Sequence, residues 1–315
     1  MRYRQLGRSG LTVSEVGLGC NNHGGSFGGR LGLDETRLVV NAALEEGVTL
    51  LDTANTYGDR GGSETLLGEA LKGKRDQFVL ATKFGSDMGE GPGVARASRW
   101  YIRRAVEGSL KRLQTDHIDL YQLHRPDGLT PVEETLSALT ELVHEGKVRY
   151  VGSSNLAAWQ VVEAEWTARC AGGGLAASGL ERFVSAQNHY SLINRRAERE
   201  LLPACEAFGI GLLPYFPLEN GLLTGKYRRN QPPPAGTRLS GRPIGDDTFD
   251  KLESLDGFAK ERGRTLLELA FAGLLARPAV SSVIAGATSP DQIRANVRAA
   301  EWQLSSEDIE ELARV

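Results

Sequence analysis

Short apolar runs recur along the chain, and most are followed by a stretch whose apolar residues fall at helical spacing. Val16-Gly17-Leu18-Gly19, Val48-Thr49-Leu50-Leu51, Phe78-Val79-Leu80-Ala81 and Ile118–Leu123 begin the series. Val148–Gly152, Phe183–Gln187, Ile210–Pro214 and Val280–Ala285 complete it. Each reads as a buried strand, being short, rich in branched residues and bounded by polar or glycine positions. Between them, Asp34 caps a predicted helix through Glu46, with Leu38, Val39, Ala42 and Ala43 on one side. Ser63 caps another to Leu71, and a longer one runs from Ser98 to about Leu113. Thr130-Pro131-Val132-Glu133 reads as an N-cap, a first-turn proline and a capping-box glutamate for a helix ending at Gly146. Further helices are expected over 156–168, 248–261 and 265–276.

Eight strands alternating with helices predict an α/β fold, a (β/α)₈ TIM barrel forming a single domain over residues 1–315. Arg2–Leu6 and Leu11–Ser14, flanking Gly7-Arg8-Ser9-Gly10, predict an N-terminal β-hairpin. A doubly wound open sheet is the alternative, but no G-x-G-x-x-G follows an early strand. Two stretches are irregular. Cys170–Gly179 is rich in small residues and reads as a solvated connection. Asn220–Asp250 is too long for an ordinary loop and follows the seventh strand, so it is expected to act as a lid over the active-site face.

The balance of charge narrows the partners. A net charge of −3, with no basic cluster interleaved with aromatics, argues against nucleic acid. No apolar stretch approaches the roughly 20 residues needed to cross a bilayer. The start, Met1–Gly7, lacks a signal-peptide core. Cys20, Cys170 and Cys205 have no metal-like spacing and fit reduced thiols. The expectation is a cytoplasmic protein acting on a small molecule, without a metal.

Candidate chemistry lies at the strand ends. Asp52, Tyr57, Lys83 and His124 each stand at or just after the C-terminal end of a predicted strand. In a parallel barrel those ends converge on the face that carries the active site. Singly, each has an ordinary reading: a turn cap, a rim aromatic, a snorkelling lysine, a histidine bonded to backbone. Jointly they supply the parts of a proton donor. A phenol with a pKa of about 10 is a poor acid at neutral pH, a nearby ammonium lowers it, and a buried ammonium needs a carboxylate. Tyr57, Lys83 and Asp52 fit those three parts, and His124 would orient a carbonyl oxygen.

Leu51-Asp52-Thr53-Ala54-Asn55-Thr56-Tyr57-Gly58, Ala81-Thr82-Lys83, Asp119–His124 and Gly146–Gly152 with Ser153-Ser154-Asn155 stand in the order found in aldo-keto reductases. The sequence resembles that superfamily nearly end to end, from Tyr3–Gly10 to Asp291–Asn296. The resemblance implies reduction of an aldehyde or ketone with NADPH, with NADH as the alternative. It makes Tyr57 the acid, Lys83 and Asp52 its modulators, and His124 the orienting group. It places Ser154, Asn155 and Gln187 on the nicotinamide carboxamide, and Tyr215 against the nicotinamide ring. Gly19, Pro217, Leu218 and Gly221 are implied as further cofactor contacts, with Lys226 and Arg238 clamping the pyrophosphate. Gly286, Thr288, Gln292 and Asn296 are implied around the adenosine 2′-phosphate and adenine.

The strand ending at Gly286, followed by Ser289 as cap, Pro290 in the first turn and Gln292 at the capping-box position, independently reads as a helix start suited to phosphate. Two departures stand out. Phe216 replaces a serine common in the family, and Ala285 a proline. Gln292 stands where many relatives carry a basic residue, with Arg294, Arg298 and Arg238 as candidates to compensate.

Other functions compete. The segment Gly221–Tyr227 leans toward potassium-channel β subunits, which are cofactor-bound regulatory proteins; those carry asparagine where this chain has His124. A sugar or polyol dehydrogenase would run the same groups in reverse. A phosphate-binding isomerase or aldolase would use Lys83 as a Schiff base. Specificity is expected from the loops at Asn21–Arg30, Gly85–Arg99, Arg125–Gly128 and Glu219–Asp250. Gly24, Gly25, Gly28 and Gly29 make the first permissive, Trp100 lines the second, and Arg30, Arg99 and Arg125 are candidates to meet an anionic substrate.

Overall fold

The expected alternation closes into a barrel. The computed structural model describes residues 1–25, 31–170 and 179–315. Gly28, Gly29 and Arg30 of the first loop, and most of the small-residue stretch after Cys170, lie outside the described residues. The hairpin pairs β1 (Tyr3–Gln5) with β2 (Thr12–Ser14) antiparallel. The barrel strands are β3 (Val16–Gly19), β4 (Leu50–Asp52), β5 (Val79–Phe84) and β6 (Ile118–Leu123). They continue as β7 (Val148–Ser154), β8 (Ser185–His189), β9 (Gly211–Tyr215) and β10 (Val283–Gly286). All pair in parallel with their chain neighbours, and β10 pairs with both β9 and β3 to close the ring.

Two apolar layers hold it. Inside, Leu50, Ala81, Leu120, Leu213 and Ile284 fill the barrel, and Leu6 and Val13 of the hairpin join them as a floor. The hairpin seats closely because Gly7 has a positive φ of 58° and touches backbone; a Cβ there would lie 2.5 Å from the Gly209 carbonyl oxygen. Outside, the alternate strand residues pack against the helices, from Val39 and Val40 of α1 (Leu33–Glu45) to Ile293 and Val297 of α9 (Pro290–Ala299). Strands covered on both faces need continuous apolar runs, which is the pattern in the sequence.

Several predicted boundaries shift. Gly32, not Asp34, is the N-cap of α1, and it provides no side-chain cap. Ser63 is no cap either: α2 spans Tyr57–Ala70, with a left-handed first turn at Gly58, Asp59, Arg60 and Gly61. The buried Ser63 hydroxyl instead donates to the Cys20 carbonyl and lies 2.8 Å from the Thr53 hydroxyl. Helix α3 (Arg99–Leu113) does start from the Ser98 cap. Pro131 is the N-cap of α4 (Val132–His144), because Thr130 is turned to Asp127. Helix α5 covers Ala158–Cys170. Unpredicted helices are α6 (Leu201–Phe208) and α10 (Ser306–Leu312). The first is only eight residues long, and the second follows the last barrel strand.

The long segment after β9 is anchored rather than free. Leu223 and Tyr227 are buried in a second apolar cluster with Phe249, Leu252 and Leu255 of α7 (Asp246–Glu261) and Leu266 and Leu269 of α8 (Leu266–Leu275). Of the segment expected to act as a lid, the stretch before α7 is the more exposed part. No helix among the described residues is long and apolar enough to cross a membrane.

Candidate active site

At the C-terminal mouth of the barrel, the proposed donor chain is assembled from two strand ends and the start of a helix. Asp52 closes β4, Lys83 lies on β5, and Tyr57 opens α2 after a four-residue turn. Lys83 is fully buried, and its Nζ donates to Asp52 Oδ2 at 2.7 Å, the Thr53 carbonyl at 2.9 Å and the Tyr57 hydroxyl at 3.3 Å. An ammonium has three protons, and here each has an acceptor. The other Asp52 oxygen accepts from Gln187 Nε2 at 2.8 Å and Gln122 Nε2 at 3.3 Å. A buried ion pair survives only with such additional hydrogen bonds, so the two glutamines keep the carboxylate in place.

Burial pushes the Tyr57 phenol above its ordinary range; Lys83 pulls it back, and Asp52 adds to the rise. The net direction reverses the expectation from sequence, because removing a phenolate from water outweighs one ammonium that Asp52 already neutralises. Burial also works against the charge on Lys83, but Asp52 and Tyr57 more than offset it, and the ammonium is held above its usual range. Tyr57 is thus a protonated phenol at neutral pH, hydrogen-bonded to a fixed cation.

His124 follows β6 and is buried beside the phenol, with ring centroids 5.7 Å apart and planes at 82°. Burial, then Lys83 and Arg125, lower its pKa to about 3. It is a neutral imidazole, and its Nδ1 is buried without a hydrogen-bond partner in the protein. Arg125, the next residue, is exposed at the cavity edge and has no ion pair among the described residues. Of the other candidates for an anionic substrate, Arg99 is paired with Glu141 and bonded to Ser137. Trp100, expected along the second loop, is largely exposed with Arg104 over its ring.

All the residues expected around the cofactor, from Gly19 to Asn296, line one cavity of about 1230 Å³, together with Tyr57 and His124. Lys83 lies behind this wall and does not reach it. The cavity exceeds the roughly 300–1,000 Å³ of a typical small-molecule pocket. It has room for a dinucleotide.

A model of the Aldo/keto reductase family matches residues 15–315. The chain belongs to the aldo/keto reductase family. It is an oxidoreductase. Among its relatives, the uncharacterized oxidoreductase YrpG of Bacillus subtilis is 39% identical over 98% of this chain and 93% of that protein. A probable voltage-gated potassium channel subunit beta of Oryza sativa is 36% identical over 95% of this chain and 91% of its own. L-glyceraldehyde 3-phosphate reductase of Escherichia coli is 32% identical over 95% and 87%.

The nicotinamide cofactors of aldo/keto reductases fit the donor set found here. Ser154 and Asn155 follow one another at the end of β7, Gln187 sits opposite on β8, and the Tyr215 hydroxyl donates to Asn155 Oδ1 at 2.8 Å. Asn155 Nδ2 in turn donates to the His124 carbonyl and the Ser154 hydroxyl, both at 3.0 Å. The side chains that would meet a carboxamide are thus hydrogen-bonded to the chain segment that carries His124. Lys226 lines the cavity with no ion-pair partner among the described residues.

Other expectations are altered by what surrounds them. Arg238 donates to Asn22 and Asn21, linking the long loop to the loop after β3, and its guanidinium lies 5.7 Å from the Phe216 ring. Gln292 does not close a reciprocal box with Ser289; its Oε1 accepts from the Thr288 amide and hydroxyl. Arg294 cannot compensate for a missing basic residue, because Asp291, Glu46 and Glu45 surround it at 3.2–3.8 Å. Gln122 was missed by sequence reasoning: its amide bond to Asp52 spans 70 positions, and nothing local marks it.

Proposed function

We propose that this oxidoreductase reduces an aldehyde or ketone to an alcohol, using NADPH and, less well, NADH. Tyr57 gives its proton to the carbonyl oxygen. The observation that carries this reading is the Asp52–Lys83–Tyr57 chain, which ends on a phenol at the wall of the same cavity as a neutral imidazole. When bound, the nicotinamide ring would supply the hydride to the carbonyl carbon. Tyr57 then loses its proton to the developing alkoxide, and the Lys83 ammonium stabilises the phenolate left behind. Asp52 keeps Lys83 charged and fixed throughout. His124 aims a ring nitrogen at the carbonyl oxygen and holds it toward Tyr57. Ser154, Asn155 and Gln187 would hold the carboxamide, Tyr215 the ring, and Lys226 the pyrophosphate.

The imidazole beside the acid supports turnover over a purely regulatory role. A lysine held as a fully bonded ammonium is a poor Schiff-base nucleophile, which weighs against an aldolase. The test is NADPH consumption, followed by near-ultraviolet absorbance, across a panel of aldehydes and ketones. Substrate-dependent oxidation supports the reading; tight NADPH binding without turnover on any of them would return the regulatory one. Arg125 makes phosphorylated and carboxylated aldehydes the first members to try.

Two expected outcomes follow at this point. The pH profile of kcat/KM for reduction should show no imidazole step, because His124 titrates far below neutrality. It should stay level from about pH 6 to 9 and fall only at higher pH, as the phenol, whose pKa is raised from about 10, loses its proton. An inflection near the ordinary imidazole pKa that disappears in His124→Asn would contradict the neutral ring. Secondly, Gln292→Arg should tighten NADPH binding about five- to tenfold and leave NADH within twofold, since a partly exposed charge pair gives about 1 kcal/mol. Equal effects on both cofactors in a fluorescence titration would place Gln292 away from the 2′-phosphate.

A further inference from the structure

Behind the Tyr215 ring lies a polar cluster that the proposed chemistry does not use. His189, the last residue of β8, stacks on Tyr215 with centroids 5.5 Å apart and planes at 17°. Its Nε2 lies 2.6 Å from Glu219 Oε1, and its Nδ1 lies 2.8 Å from Asn194 Nδ2. The orientation of Asn194 follows from its Oδ1, which accepts from the Arg196 amide at 3.5 Å. The asparagine therefore donates to Nδ1, and Nε2 carries the proton that goes to Glu219. Ser191 donates to the same carboxylate oxygen at 2.7 Å. Glu219 is nearly buried, so this carboxylate depends on those two donors.

The backbone around Glu219 needs holding. Glu219, Asn220 and Gly221 have φ of 44°, 56° and 90°, three left-handed residues in succession. Two carry side chains, and such residues persist only where their surroundings fix them. Among the contacts of the Glu219 side chain, both donors belong to the end of β8 and the chain just after it, not to its own loop. The run leads directly to Gly221, which a Cβ would bring to 2.7 Å from Lys226 Nζ.

We propose that the His189–Glu219 hydrogen bond is a positioning clip for the cofactor: it fixes the left-handed turn that presents Lys226 and keeps the Tyr215 ring in plane. His189 and Glu219 are positioning residues, acting through Lys226 and Tyr215. The inference rests on the reading of Tyr215 and Lys226 as cofactor contacts. The adenosine end, at Gly286, Thr288 and Asn296, is borne on β10 and α9 and is independent of the clip.

The experiment is equilibrium fluorescence titration of the full chain, without substrate, with NADPH and separately with 2′,5′-ADP. Glu219→Ala keeps a Cβ at the left-handed position and removes the carboxylate with its Cγ methylene. His189→Phe keeps a stacked ring and removes the N–H. His189→Gln restores an N–H donor without the ring. Both clip-breaking variants should weaken NADPH about tenfold, a coupling of ordinary size, with little further loss when combined. His189→Gln should recover most of that loss, and 2′,5′-ADP should bind all variants within twofold of the unaltered protein. NADPH binding unchanged in Glu219→Ala, or His189→Gln as weak as His189→Phe, overturns the clip. So does parallel loss of 2′,5′-ADP, which would mean general damage. Failure of the unaltered protein to bind NADPH at all would instead strike the cofactor reading itself.

Discussion

Tyr57→Phe is expected to lower the rate of carbonyl reduction by roughly 10³-fold or more, within the range attributed to a general acid, while NADPH affinity changes less than twofold. The substitution removes one oxygen. The ring stays at the cavity wall beside His124, and Lys83 keeps its bonds to Asp52 and the Thr53 carbonyl. Loss of rate without loss of binding is the signature of an interaction made only in the transition state. Steady-state kinetics beside a fluorescence titration separates the two. Near-normal turnover would remove Tyr57 from the reaction, and a large loss of NADPH affinity would make it a binding residue.

Lys83→Met should act on both activity and stability. It leaves Asp52 buried with only the amides of Gln187 and Gln122 as donors. Removing one partner of a buried pair costs about 3–5 kcal/mol, because the remaining charge has lost its counter-ion. The same change deprives the phenolate of its neighbouring cation, so reduction should fall at least as far as in Tyr57→Phe. Adding Asp52→Asn removes the stranded charge. The double variant should recover most of the lost stability, read from the urea midpoint, and none of the activity. A single variant as stable as the unaltered protein would mean that the pair is not buried as described.

The strand ends were legible because a parallel barrel imposes a simple rule. The strands are largely apolar where both faces are covered, and polar residues at or near their C-terminal ends emerge at the mouth. Asp52, Lys83 and His124 could therefore be gathered from three distant segments without knowing a distance. Tyr57 follows from the same rule and a short turn. Helix starts were less legible: Ser63 has a capping residue's chemistry, yet its hydroxyl is drawn to Thr53 and Cys20 by tertiary packing. Local propensity yields where a buried polar atom finds a better partner elsewhere.

The amino-acid sequence alone determined the barrel, its hairpin and the set of groups at its mouth, because periodicity and strand-end position are properties of the chain itself. Only the tertiary structure decided how those groups are charged and held. The phenol rises rather than falls because burial outweighs Lys83. Arg294 is neutralised by acids from α1's C-terminal end and its own helix. Asp52 is fixed by amides 70 and 135 positions away, and Glu219 by the end of β8 and the residues just after it. Hydrogen bonds and desolvation depend on neighbours in space, and the fold brings those neighbours from segments that the linear pattern keeps far apart.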